Sequence, residues 1–257
     1  MGRFHRHDDG TVHTHSHDDL PHNHDRGDHS RYQTGGQRVE VLEAIFAEND
    51  MRADANRAAF ERNGVRTLNL MSSPGSGKTT ILRATLDELA GDLAIGVIEG
   101  DIATDLDAAK LRGRGAQVSL LNTSNGFGGE CHLDAPMVNR ALRGLDLAAL
   151  DLVVIENVGN LVCPAEFDVG EHAKAMVYSV TEGEDKPLKY PVMFRSVDVV
   201  LLNKIDLVPH LDVDVDSYIA HVRKVNATAS ILPVSARTGD GMAAWFGWLR
   251  RFATDED

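Results

Sequence analysis

Residues 67–80, TLNLMSSPGSGKTT, run an apolar segment straight into a glycine-rich turn that closes on Gly77-Lys78-Thr79. No other stretch restricts the fold as much. Glycines let the backbone curl so that successive N–H groups point at phosphate oxygens, and a helix starting at the turn adds the positive end of its dipole. The turn therefore calls for a strand before it and a helix after it. The usual pattern is G-x-x-x-x-G-K-[ST], and Ser72 stands where its first glycine would be. The rest is intact, so Gly75, Ser76, Gly77, Lys78, Thr79 and Thr80 are the expected phosphate contacts. Lys78 is placed to meet the β- and γ-phosphates, and the Thr79 hydroxyl to ligate Mg²⁺.

The remainder of the chain supplies the sheet such a loop needs. Apolar segments TLNLM (67–71), AIGVIE (94–99), QVSLL (117–121), LVVIE (152–156), VDVVLLN (197–203) and ASILPV (229–234) read as strands. Helical patterns follow at 78–90, 104–115, 134–146, 212–224 and 241–253, and residues 39–60 read as one or two leading helices. Val177, Ser179 and Thr181 favour a further strand within 173–185. Continuous apolar strands separated by helices predict an α/β fold, a mostly parallel sheet covered on both faces in the manner of a P-loop NTPase. Ligands of such sheets bind at the carboxyl ends of the strands.

Several of those strand ends carry chemistry. VVLLNKIDL puts Asn203, Lys204 and Asp206 after one strand. A carboxylate there accepts two hydrogen bonds from the N1–H and 2-amino group of guanine, which adenine cannot supply. Ser235 and Ala236 of VSAR follow the next strand as a second base-contacting loop, so GTP and GDP are the expected nucleotides. VIEGD delivers Asp101 towards the metal and γ-phosphate. VVIENVG places Glu156 to orient water or a magnesium ligand and Gly159 to sense the γ-phosphate; either acid could instead cap a helix.

Eight of the 12 histidines lie in the first 29 residues, interleaved with aspartates. With few aliphatic residues to bury, residues 1–36 are expected to be disordered and to bind divalent ions through imidazoles such as His13, His15, His17, His22 and His24. Residues 37–257 form the nucleotide domain. A net charge of −13 argues against wrapping nucleic acid. The absence of a long apolar run and the presence of only two cysteines, Cys131 and Cys163, suggest a reducing, cytoplasmic setting and no membrane span.

Those cysteines are placed unusually. GGECHLDAP sets Cys131 directly before His132, and Cys163 lies four residues beyond Gly159. Two thiolates and an imidazole suit Zn²⁺ or Ni²⁺; buried core cysteines or a redox disulfide are the alternatives. One chain supplies three ligands, and a symmetric dimer joined across these loops would supply six to one shared site.

SSPGSGKTT, VIEGD, GGECHLDA, ENVGNLVCPAEFDVGE, LNKIDL and PVSARTGDG together resemble the HypB family, GTPases that help load nickel into [NiFe]-hydrogenase. The resemblance runs through most of residues 39–253. It implies nucleotide-dependent homodimers, an interface Ni²⁺ or Zn²⁺ site at Cys131, His132 and Cys163, and slow Mg²⁺-dependent hydrolysis. It also implies two partners, a HypA-type nickel chaperone and a hydrogenase large-subunit precursor. The cysteine-rich amino-terminal nickel motif of some members is absent, and the histidine tail resembles the nickel-storing version. UreG of the urease system is also similar, but its Cys-Pro-His motif is not matched at Cys131-His132. A nickel store, or delivery of nickel or cobalt to another enzyme such as urease, is the rival reading.

Overall fold

The computed structural model of the chain describes residues 4–6, 12–14, 34–100, 111, 113–121 and 132–255, with side chains from Glu43 onward. It divides into two compact units, Met1–Leu42 and Glu43–Asp257. In the first, β1 (Phe4–Arg6) pairs antiparallel with β2 (Val12–Thr14), which contains His13. His15, His17, His22 and His24, with most of the expected tail, lie outside the described residues, as do Asp101 and Cys131.

The leading helical pattern is a single helix, α1 (Thr34–Asn63). It stops at Gly64, whose φ of +68° is the left-handed conformation that glycine adopts without a Cβ penalty. The Gly64 and Val65 N–H groups then turn back to the carbonyls of Glu61 (3.1 Å) and Phe60 (3.0 Å), satisfying the helix end before the sheet begins.

Seven strands follow: β3 (Arg66–Ser72), β4 (Ile95–Glu99), β5 (Gln117–Leu120), β6 (Leu152–Gly159), β7 (Ala173–Ser179), β8 (Val199–Asn203) and β9 (Ser230–Pro233). They form one parallel sheet in the order β5-β4-β6-β3-β7-β8-β9. The ambiguous segment 173–185 thus opens with a true strand, β7, and continues in a 3₁₀ turn over Val180–Glu182. The further α-helices bounded within the described residues are α2 (Lys78–Leu89), α3 (Ala135–Ala141), α4 (Cys163–Glu166), α5 (Lys186–Lys189), α6 (Pro191–Arg195), α7 (Val215–Val225) and α8 (Met242–Thr254). The pattern expected over 134–146 is shorter than it looked, because α3 tightens into a 3₁₀ turn at Leu142–Gly144. Most of the 104–115 pattern lies outside the described residues.

Strand alternation splits the core between the two faces. Leu68, Leu70, Val97 and Val154 meet Ile81, Leu82, Leu86 and Leu89 of α2 and Trp245 and Leu249 of α8. Trp245 Nε1–H donates to Thr85 Oγ1 (2.9 Å), joining those two helices by a buried polar contact. On the other face, Ile98, Val153 and Ile155 pack against Phe60 of α1 and Leu133, Val138 and Ala141 around α3. Met71, Met176, Tyr178 and Leu202 pack against Phe194 and Tyr218.

The end of the sheet opposite the phosphate loop is tied by His172, whose Nδ1 accepts the Thr67 N–H (3.0 Å). Burial, and secondarily the Arg66 guanidinium, lower its pKa from the ordinary 6.5. The unfolded chain then takes up this proton before the folded one does as acid is added. The His172 contribution is therefore complete above about pH 6.5 and is lost as the pH falls through that value towards the folded pKa. Urea midpoints followed from about pH 7.5 to about pH 5.5 should fall more steeply for the native protein than for His172→Gln. Parallel curves would show that His172 carries none of the acid sensitivity.

Candidate functional site

The phosphate loop leaves β3, the central strand, and enters α2 with Gly75 at φ +75° and Gly77 at φ +100°. Both are conformations that L-residues rarely adopt, and Gly77 has a second constraint. A Cβ there would lie 2.4 Å from Asn203 Nδ2, so glycine lets the loop of residues 203–206 come this close. Asn203 Nδ2 donates to the Ser76 carbonyl (2.8 Å), and its Oδ1 accepts the Ala236 N–H (3.1 Å). Lys204, at φ +66°, reaches over to the Gly75 carbonyl with its Nζ (2.7 Å). Asp206 Oδ1 accepts from the buried Ser235 hydroxyl (2.7 Å), which fixes the carboxylate at the mouth of a cavity lined by Gly77, Thr80, Asn203, Lys204, Asp206, Leu207, Ser235, Ala236 and Arg237. A second cavity is lined by residues 72–80 together with Gly159. The two adjoin through Gly77 and Thr80, the arrangement a base joined to a row of phosphates requires.

Glu156 occupies the centre. It is fully buried, and its Oε1 accepts from Lys78 Nζ (3.0 Å) and from Thr79 Oγ1 (2.7 Å). The reading of Glu156 as a magnesium or water ligand is thus joined by a more immediate role, holding the two residues expected to meet phosphate and metal. An ion pair this deep has lost its hydration, so each partner depends on the other. Glu156 Oε2 and Ser76 Oγ are buried with no hydrogen-bond partner among the described residues. Buried polar groups are rarely left so, and these two atoms fit a site whose remaining partners are phosphate, Mg²⁺ and water.

Strand β6 makes room for this. Leu70 pairs with Glu156 and Ser72 with Gly159, so three steps on β6 oppose two on β3 and one extra residue bulges from the ladder. Bulges of this kind re-aim side chains beside functional sites. Gly159 then passes so near Pro74 that a Cβ would sit 3.3 Å from the Pro74 Cα. Sequence reasoning missed Glu182, which accepts from the buried Ser73 hydroxyl and from the Ser179 N–H (3.0 Å), bracing the loop from β7. Arg237 and Leu207, which line the cavity beside Asp206, were also missed. Only the proximity of VSAR and NKID to the loop could have hinted at them.

Of the expected metal ligands, His132 and Cys163 are described. Both follow strands that end at the nucleotide edge of the sheet, His132 after β5 and Cys163 after β6 at the first position of α4. The Cys163 side chain is half-buried. The His132 ring lies 4.1 Å from that of Phe167, which stacks on Phe46 of α1 at 5.3 Å. Among the described residues no group of three or more histidine, cysteine, aspartate or glutamate side chains gathers within one chain.

Residues 66–233 match the family model described as CobW/HypB/UreG, nucleotide-binding domain. The chain is 52% identical over 213 residues to the hydrogenase maturation factor HypB of Azotobacter chroococcum mcd 1, spanning 83% of this chain and 68% of that one. It is 47% identical over 232 residues to HypB of Escherichia coli K12, spanning 90% and 79%. The crystal structure of HypB from Helicobacter pylori in complex with nickel superposes with a TM-score of 0.74 at 34% identity, over 81% of this chain and 96% of that one. With the phosphate loop, the cavity beside Asp206 and the strand order in place, these likenesses establish that the chain belongs to the HypB hydrogenase maturation factors of the CobW/HypB/UreG family.

Proposed function

We propose that the protein is a slow, Mg²⁺-dependent GTPase that dimerises with GTP and passes nickel to a hydrogenase large-subunit precursor in the cytoplasm, assisted by a HypA-type nickel chaperone. The observation that carries this reading is the common edge. His132 and Cys163 follow β5 and β6 on the side of the sheet where the cavity of residues 72–80 opens. The nickel-bound relative from Helicobacter pylori adds support for the cargo.

In this reading Gly75, Ser76, Gly77 and Thr80 cradle the phosphates, and Lys78 leaves Glu156 to neutralise their charge. Thr79 and Asp101 hold Mg²⁺, which when bound balances charge on the transferring phosphate. Glu156, freed of Lys78 and Thr79, keeps its carboxylate at the metal and water side of the cavity. Asp206 reads guanine, with Asn203, Lys204, Ser235 and Ala236 keeping its loop against the phosphate loop. Cys131, His132 and Cys163 meet their symmetry mates across a two-fold axis and hold nickel, with zinc as the competing occupant. The histidine tail, including His13, His15, His17, His22 and His24, stores further ions. The expected result is a doubling of mass by light scattering when Mg²⁺ and a non-hydrolysable GTP analogue replace GDP. An unchanged mass in the two nucleotides would overturn the shared site.

A further inference from the structure

Asn157 follows Glu156 on β6, and strand alternation sends the two side chains to opposite faces of the sheet. Glu156 meets Lys78 and Thr79 on the α2 face. Asn157, fully buried, meets the segment that carries His132. Its Oδ1 accepts the Leu133 N–H (3.0 Å) and also the N–H of Val158 (2.9 Å), inside the bulge. Its Nδ2 donates to Asn69 Oδ1 (3.2 Å), and Asn69 Nδ2 donates to Glu171 Oε1 (3.2 Å). Glu171 Oε2 in turn accepts the Val169 N–H (2.8 Å), and Lys174 Nζ lies 3.3 Å from Oε1. A buried polar row therefore crosses β6, β3 and the turn before β7. It fixes which way each amide points.

The row has a mechanical consequence. A side chain free to rotate would absorb a small movement of its strand, but Asn157 is held at both ends of its carboxamide. A displacement of β6 at residues 156–159 must therefore reach Leu133 and, one residue away, His132. A second contact runs in parallel. The Gly100 N–H donates to the Glu156 carbonyl (3.0 Å), and the Leu133 side chain covers Gly100 so closely that no Cβ would fit. Beyond Leu133 the chain is clamped to α1. The Ala135 N–H donates to Asn49 Oδ1 (2.9 Å), and its carbonyl accepts from Asn56 Nδ2 (3.0 Å). His132 and Leu133 thus lie next to a pivot, with the nucleotide-facing strand on one side and α1 on the other.

We infer that Asn157 is a positioning residue that transmits the occupancy of the nucleotide cavity from Glu156 to the His132 segment. Binding of Mg²⁺ and a triphosphate takes Lys78 and Thr79 from Glu156. The bulged end of β6 then resettles, and Asn157 carries the shift to the Leu133 amide. The inference deepens the proposed function, because the segment it steers holds a proposed nickel ligand.

The test is amide hydrogen exchange at Leu133, followed by NMR on the full chain with Mg²⁺ and GDP, then with Mg²⁺ and a non-hydrolysable GTP analogue. In the native protein the Leu133 exchange rate should change by about tenfold between the two, while amides of the Leu249 side of the core stay unchanged. In Asn157→Ala, Leu133 should exchange fast in both states, with nucleotide affinity kept within about twofold. Equal Leu133 rates with the two nucleotides in the native protein would overturn the inference, and that comparison decides even if the variant does not fold. A variant that folds and keeps the native nucleotide response at Leu133 would overturn it as well. Adding Ni²⁺ separates the layers: a Leu133 amide that responds to nucleotide in a protein whose loops bind no nickel upholds the transmission and sinks the metal reading alone.

Discussion

Asp206→Asn should lower GTP affinity by about 10²–10⁴-fold, the loss of two charge-assisted hydrogen bonds at about 1.5–3 kcal/mol each. The fold should survive. Asp206 is only half-buried, and the Ser235 hydroxyl that donates to its Oδ1 can donate equally to an amide oxygen. The substitution should also invert the preference of the cavity. An amide nitrogen can donate to the 2-oxo group of xanthine but not to the 2-amino group of guanine, so XTP should bind the variant better than GTP. Competition against a fluorescent guanine nucleotide measures both. A variant that binds GTP as the native protein does would remove Asp206 from base recognition.

Lys78→Ala is the second large effect, and it should appear in two separable quantities. Hydrolysis should fall by on the order of 10²–10³-fold or more, because Lys78, the one lysine lining the phosphate cavity among the described residues, is lost from the transition-state charge. Stability without nucleotide should fall too, because Glu156 is fully buried and, among the described residues, would keep Thr79 as its hydrogen-bond partner. Breaking a buried pair from one side costs about 3–5 kcal/mol, and Thr79 should hold the loss near the lower end. Lys78→Ala with Glu156→Gln removes the stranded charge. That double variant should regain most of the stability in a urea titration while its hydrolysis stays low. If stability and activity returned together, Lys78 would matter for packing alone.

Much of this was readable before any coordinates, for local reasons. The phosphate loop is a composition that only glycine-permitted dihedrals allow, and Gly75 and Gly77 do take positive φ. Most strands read as uninterrupted apolar runs because both faces of the sheet are covered, whereas β7, blurred by the polar Lys174 near its start, fills the first part of the ambiguous segment 173–185 and leaves Thr181 to the 3₁₀ turn. Asn203 and Asp206 were legible because their spacing is set within one turn. What escaped was long-range. Glu156 was expected at the site, but nothing near it in sequence announces Lys78 and Thr79, more than 70 residues away, as its partners. Ser73 with Glu182, and Asn157 with Leu133 and Asn69, are pairings of ordinary polar residues made only by strand order and by the bulge in β6. Periodicity also overstated α3, because it does not distinguish an α-helix from the 3₁₀ turn that continues it. Asp101 and Cys131 remain as the sequence proposed them, outside the described residues.

The proposed metal site at Cys131, His132 and Cys163 should answer to the nucleotide. Equilibrium dialysis of Ni²⁺ against the full chain and against its Cys131→Ser, Cys163→Ser variant tests it most directly, each with Mg²⁺ and GDP and then with a non-hydrolysable GTP analogue. Ions held by the tail are common to both proteins and cancel in the difference. The native chain should bind about half an ion more per chain than the variant, as one site shared by two chains requires, and the affinity of this excess should change with the nucleotide. No excess, or an excess of equal affinity in both nucleotide states, would contradict it.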